Sequence, residues 1–291
     1  MKPPSFEEYC KRSNTSIACT SKACTIIPPN LGIKRPKFRL LNQLETATVL
    51  DIHNVYRSEL AFGYHLKSYY IPSIANMNVL SYDKEAEFLA ICSLYNTESK
   101  EPLNGVQEGR ADMYGKNVFT SKINSLDHHW RSRLLRKATG FWFQQVKYLN
   151  EKQVQVAIDH YEKDKIVMQE NKKANVECFT QLSWADTKFV GCAITYTGMG
   201  PTWAAVLVCV YYPSGNVEGG SMLRAGSPGR GCKKKNSIFK SLCGYIRFSK
   251  HDKFVSPLQE MFPRAKDKCR RHLMDNSILY LLLTVIYLSM K

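Results

Sequence analysis

Cysteine is the residue type whose chemistry is easiest to narrow in this chain. The ten stand at Cys10, Cys19, Cys24, Cys92, Cys178, Cys192, Cys209, Cys232, Cys243 and Cys269. None forms a CxxC pair, so a zinc ribbon or a dithiol redox motif lacks its spacing. An even number, spread out and grouped toward both ends, suits disulfides made in an oxidising compartment. The triplet Asn14-Thr15-Ser16 is an N-glycosylation sequon and agrees with that compartment. A nucleophilic role for Cys178 would need a nearby base and a lowered pKa, and no histidine is placed to serve. Ser183 likewise has no visible base or acid. His53 is expected to be a packed, hydrogen-bonded histidine on a helix. Adjacent His128 and His129 point apart on any regular element, which places them in a solvated loop.

The charge is unusual. A formal +16 comes from short clusters at 34–37, 131–137, 233–235 and 264–271. Such clusters attract nucleic acid, anionic lipid and acidic glycans alike. A nucleic-acid binder needs a motif as well as charge; there is no zinc-finger spacing, RNA-recognition signature or aromatic-basic repeat, so nucleic acid is excluded as a partner. The hydrophobic fraction of 44% is that of a chain able to bury a core.

These residues need elements to hold them. Val49, Ile52, Tyr56 and Leu60 recur at helical steps, and Gly63 offers a stop. Asp83 can cap a second helix whose Ala86, Leu89, Ala90 and Ser93 form one stripe. A short strand is expected at 117–120 and a third helix over about 141–150. In 190–196, Val190, Cys192, Ile194 and Tyr196 alternate onto one face. The run 204–212 is nearly all apolar and suits a central strand covered on both faces. Gly198, Gly200 and Pro201 supply the turn between them. Cys192 and Cys209 can therefore meet across a hairpin, where a bridge contributes about 3 kcal/mol in chain-entropy terms. Helices first and strands after, around one sheet, predict an α+β sandwich.

Four segments carry a resemblance. His53-Asn54-Val55-Tyr56-Arg57 resembles the HNxxR of the CAP superfamily (SCP domain). Residues 75–83 resemble its AxNMxxLxWD segment. Phe179-Thr180-Gln181 through Ala193 resembles HYTQxxWAxTxxVGCA, and 208–216 resembles VCxYxPxGN. Order and spacing match over about residues 45–220. The cysteines of the first twenty residues and the ending 226–243 are similar to insect antigen-5 and venom-allergen proteins. The resemblance implies a three-layer α-β-α sandwich with a disulfide-tied N-terminal arm. It implies the pairings Cys192–Cys209, Cys232–Cys243 and Cys10–Cys19, with Cys24–Cys92 as a further pair; Cys178 and Cys269 are given no partner. Many relatives carry two histidines and two acids in a cavity, a set suited to zinc. Here the corresponding positions hold Cys178, Lys116 and Gln145, and the second histidine has no counterpart near 96–101.

The chain thus divides into an arm (1–40), a CAP domain (41–220), a cysteine-containing extension (221–250) and a basic segment with an apolar tail (251–291). The expected function is a non-catalytic, monomeric, secreted protein without metal or cofactor. It would bind an extracellular protein, an acidic glycan or an anionic lipid. The competing readings are a metal-assisted hydrolase or protease and a sterol or lipid carrier. The first residues, Met1-Lys2-Pro3-Pro4-Ser5, contain no apolar run, so a secretory signal is expected upstream of them. The apolar run 278–288 is shorter than the roughly 30 Å hydrocarbon core, and is expected either to anchor the chain or to be a terminal helix.

Overall fold

The computed structural model describes residues 10–11, 16–20, 37–38, 40–63, 69–94, 114–166, 176–198 and 202–246. Along the chain these give α1 (Ile17–Thr20), β1 (Lys37–Phe38), α2 (Gln43–Phe62), β2 (Ser81–Tyr82), α3 (Lys84–Leu94) and β3 (Gly115–Ile123). There follow α4 (Trp130–Gln144) with a 3-10 turn at Gln145–Tyr148, α5 (Glu151–Asp159), α6 (Lys163–Ile166), α7 (Glu177–Ser183), β4 (Phe189–Thr197) and β5 (Trp203–Tyr212).

Period-two alternation in β4 and β5 organises the centre. The two strands pair antiparallel, with Cys192 opposite Cys209, and the two sulfurs are bonded across a Cα–Cα distance of 4.1 Å. The order is β1-β4-β5-β3. On the outer edge of β4, β1 pairs at 195–196 and β2 pairs at 189–190. Ala205, Leu207, Cys209 and Tyr211 face one layer, with Val190, Cys192 and Ile194 beside them. Val208, Val210, Tyr212 and Ala193 face the other. Helices α2, α4, α5 and α7 cover the first face, and α1 and α3 the second, which makes the three-layer sandwich. Close approach of α3 requires Gly191, because a methyl group built there would overlap the backbone of Asp83 and Glu87.

Local chemistry sets the helix ends. Asn42 caps α2 in a reciprocal box with Glu45, and Gly63 ends it at φ 68°. Asp83 accepts from Ala86 N at 2.8 Å at the start of α3. The third helix differs from the expectation. It begins at Trp130 and gives way at Gln145 to the 3-10 turn. Its buried stripe, Trp130, Leu134, Leu135, Ala138 and Trp142, is interleaved with the basic run 131–137; those charges mask the helical period. Strand β3 is longer than the stretch predicted, and α5 is a separate helix with its own box, Asn150 with Gln153.

Residues 221–246 pack on the same core. Met222, Leu223 and Leu242 are buried in it. Backbone bonds run from Ala75 N to Arg224 O, Cys243 N to Met77 O and Val79 N to Cys243 O. Cys232 and Cys243 are bonded, as are Cys10 and Cys19. Cys92 is also disulfide-bonded; Cys24, its expected partner, lies outside the described residues, as do Asn14, Cys269 and the tail at 278–288. No helix among the described residues is long and apolar enough to cross a membrane.

Candidate functional site

Three polar residues of α2 point inward: His53, Asn54 and Arg57 are fully buried. Burial of such groups is costly unless each is hydrogen-bonded, and each is. Asn54 brackets one residue, donating to Leu80 O at 3.0 Å and accepting from Leu80 N at 2.7 Å. Arg57 donates through Nε and Nη2 to Asn78 O, through Nη1 to Leu182 O and Trp184 O, and through Nη2 to Ala185 O and Thr187 O, at 2.8–3.2 Å. Burial lowers its pKa to about 9, partly opposed by Tyr211 and Asp186; all its hydrogen bonds go to five carbonyl oxygens. One guanidinium thereby fastens the loop before β2 and the loop before β4 to α2.

His53 faces β5. Its Nδ1 lies 2.7 Å from Val49 O, a group that only accepts, so Nδ1 carries the proton. Nε2 then accepts from Tyr211 OH at 2.9 Å. Burial lowers the imidazole pKa to about 4 and raises the Tyr211 pKa well above the usual phenol range. Both ring nitrogens are in use, as the sequence reading of a packed histidine expects.

The positions singled out as degenerate cavity residues lie close by. Cys178 sits at the start of α7, with its carbonyl accepting from Asn117 Nδ2 at 2.9 Å. Gln145 Oε1 accepts from Phe179 N at 3.1 Å. The Cys178 sulfur is hydrogen-bonded by the Val118 backbone and by Gln145, yet burial raises the thiol pKa to about 11. It is a protonated thiol at neutral pH. Gln145 and Cys178 are thus brought together. Lys116 is not placed with them: strand alternation puts it on the face shared with Val118 and Tyr114, opposite Asn117 and Phe119. Ser183 is fully buried, and its hydroxyl finds no hydrogen-bond partner among the described residues. His128 and His129 are exposed in the turn before α4.

The basic clusters fall into different settings. Arg131 is buried and paired with Glu45 at 3.3 Å, with side-chain exposures of 7% and 4%. Arg133 is exposed and held by both oxygens of Asp127. Asp51 is half-buried beside Arg136, and burial raises its pKa. Charge counting alone missed these partnerships. The finger closed by Cys232–Cys243 keeps its charge outside. Arg224, Arg230, Lys233, Lys234, Lys235 and Lys240 are all exposed, and 221–246 contains no Asp or Glu.

Known proteins place these features. The profile described as CAP, cysteine-rich secretory protein family, matches residues 50–211. Scoloptoxin SSD552 of Scolopendra dehaani is 26% identical over 209 residues, 71% of this chain and 87% of that protein. Salivary antigen-5 of Dipetalogaster maximus is 28% identical over 225 residues, 74% of this chain and 80% of that protein. The chain spans about half the length of some other relatives, 46% for a protein of Trittame loki. A similar solved fold is titled crystal structure of NaASP2 with Zn2+, with a TM-score of 0.52, 22% identity, and coverage of 70% of this chain and 97% of that one. Relatives extend to Bos taurus, so a restriction to insects is finer than these similarities support. With the profile covering more than half of its length, the chain belongs to the CAP, or cysteine-rich secretory protein, family.

Proposed function

We propose that this protein is a secreted, non-catalytic binding protein that engages an anionic extracellular surface through the finger closed by Cys232–Cys243. The observation that carries the reading is that finger: four exposed lysines between the bridged cysteines, exposed Arg224 and Arg230 just before them, no acid in 221–246, and a backbone pinned to the core at Met77 and Val79. Lys234 lies 4.6 Å from the Tyr245 ring centroid, and no carboxylate among the described residues pairs with Lys233, Lys234 or Lys235. Relatives named for saliva and venom support an extracellular setting.

The interior supports the non-catalytic half. A thiol ligand must be deprotonated to bind zinc, and Cys178 is held protonated by burial. Gln145 already accepts from a backbone N–H, and an amide supplies no charge. Both His53 nitrogens are committed. This donor set does not fit a divalent cation, and no acyl- or phosphoryl-transfer step follows from it. Among the described residues no base stands hydrogen-bonded to Ser183 to activate it as a nucleophile.

The test is binding to an anionic support over a salt series. A Lys233→Ser/Lys234→Ser/Lys235→Ser variant is expected to bind more weakly and to lose much of the salt dependence, because exposed charges are screened within about 10 Å at 0.1 M salt. Salt-insensitive binding, or a variant that binds like the parent, would sink the proposal.

A further inference from the structure

The outward side of α4 is independent of the finger. Residues 130–148, which make α4 and the 3-10 turn after it, include no Asp or Glu. Positions 133, 137, 141, 144 and 148 are three or four residues apart, so they follow one another along a single side. All five are exposed, and so are Arg136 and Lys147 beside them. The opposite side carries Trp130, Leu134, Leu135, Ala138 and Trp142 into the core.

Two aromatic rings stand on the outward side. Phe141 is 54% exposed and Tyr148 51%. The Phe141 ring meets Phe119 of β3 at a centroid distance of 5.4 Å and still leaves half its surface in water, which forgoes the gain from burying it. The charges around the rings are of one sign. Lys137 Nζ donates to Ser121 Oγ, a neutral partner, at 3.0 Å, and Lys147 Nζ lies 5.0 Å from the Tyr148 ring centroid. Neither lysine pairs with a carboxylate of the described residues. Arg133 is held by Asp127, and Arg136 stands near Asp51, so the two lysines carry the uncompensated charge. Apart from the cations, the exposed side chains here offer only the Gln144 amide and the Tyr148 hydroxyl for hydrogen bonding, too little to orient the hydroxyls of a sugar. Protruding rings among lysines match the boundary of an anionic bilayer, where aromatic rings settle at headgroup level and basic residues meet the negative surface.

We propose that the outward side of α4 docks on an anionic phospholipid bilayer, with Phe141 and Tyr148 entering the lipid–water boundary and Lys137 and Lys147 meeting the charged headgroups. The helix lies along the surface and does not cross it.

The experiment is co-sedimentation of the full chain with phosphatidylcholine vesicles that contain phosphatidylserine. Pure phosphatidylcholine vesicles and a heparin-derived tetrasaccharide serve as comparison probes. Phe141→Ser/Tyr148→Ser is expected to weaken binding to the anionic vesicles by about tenfold, as withdrawal of two rings from a partly apolar medium does. Lys137→Ser/Lys147→Ser is expected to weaken it by a similar factor at low salt, and both variants should keep the parent's thermal midpoint. In Phe141→Trp the added indole should shift its emission to the blue on the anionic vesicles and be quenched by brominated acyl chains. Pure phosphatidylcholine vesicles are expected to bind far more weakly. Parent-like vesicle binding in the aromatic variant overturns the proposal, as does an indole at 141 that brominated lipid leaves unquenched. So does a tetrasaccharide affinity that depends on Lys137 and Lys147 without vesicle binding. If the finger variant loses the vesicles and both α4 variants keep them, this proposal fails and the finger reading stands; if only the α4 variants lose them, the proposal stands without the finger.

Discussion

Replacing Arg57 with methionine keeps the length of the side chain and removes every donor. Five carbonyl oxygens lose a partner: those of Asn78, Leu182, Trp184, Ala185 and Thr187. Trp184 O still accepts from Thr187 N, and Ala185 O from the backbone and side chain of Asn78. The carbonyls of Asn78, Leu182 and Thr187 have no second partner among the described residues. Each buried acceptor left unmet costs about 1–3 kcal/mol. Removing a buried cation offsets part of that cost, since burial already disfavours the charge. The lower end, a loss of about 3 kcal/mol, is therefore expected, against native stabilities of about 5–15 kcal/mol. Urea unfolding followed by tryptophan fluorescence should show a lower midpoint at unchanged slope. Arg57→Lys retains up to three donors and should fall between the two. A methionine variant within about 1 kcal/mol of the parent would mean that water already satisfies these carbonyls, and that the guanidinium does not fasten the two loops.

Two other outcomes follow from buried groups. His53 has a folded pKa of about 4 against 6.5 for the free side chain, so the unfolded chain binds more protons between those values. Stability should be complete above pH 6.5 and fall as the pH drops toward 4, by up to about 3 kcal/mol. In His53→Gln the urea midpoint should lose that part of its pH dependence, and an unchanged profile would assign the acid sensitivity elsewhere. The Cys178 thiol, buried with its pKa raised to about 11, should resist iodoacetamide at pH 8 in the native protein and react readily in urea; rapid native alkylation mapped to the Cys178 peptide would contradict both its burial and its protonation.

The alternation of Val190, Cys192, Ile194 and Tyr196 was enough to place the strand face and to bring Cys192 opposite Cys209. Gly63 and Asp83 marked helix ends because capping depends on neighbours within a few residues. What sequence reasoning could not reach was long-range. Arg57 acts on residues more than a hundred positions away, at 182–187, and nothing local to α2 announces it. The start of α4 was hidden for a related reason. Arg131 looks like surface charge in the run 131–137, yet it is buried against Glu45, which also closes the cap of α2. Burial of Glu85 was invisible for the same cause: it accepts from Tyr114, 29 positions on, which only the fold brings near. At the cavity positions, residue types could be read from the resemblance, but the opposed faces of Lys116 and Asn117 needed the register of β3 against β5.

The division of polar groups between interior and surface bears directly on function. Inside, capacity for hydrogen bonding is largely consumed by the protein itself: Asn54 by Leu80, His53 by Val49 and Tyr211, Arg57 by two loops, Gln145 by Phe179. A ligand entering that space would have to replace bonds that hold α2, α7 and β5 together, and fold stability would fall with occupancy. On the finger the lysines hold nothing together that a ligand would have to displace beyond single exposed contacts such as Lys235 Nζ to Pro228 O. Anion binding there is compatible with a rigid scaffold, because the Cys232–Cys243 bridge and the backbone bonds to Met77 and Val79 fix the finger before any ligand arrives. Interior substitutions should therefore change stability and leave salt-dependent binding in place, while finger substitutions should do the reverse.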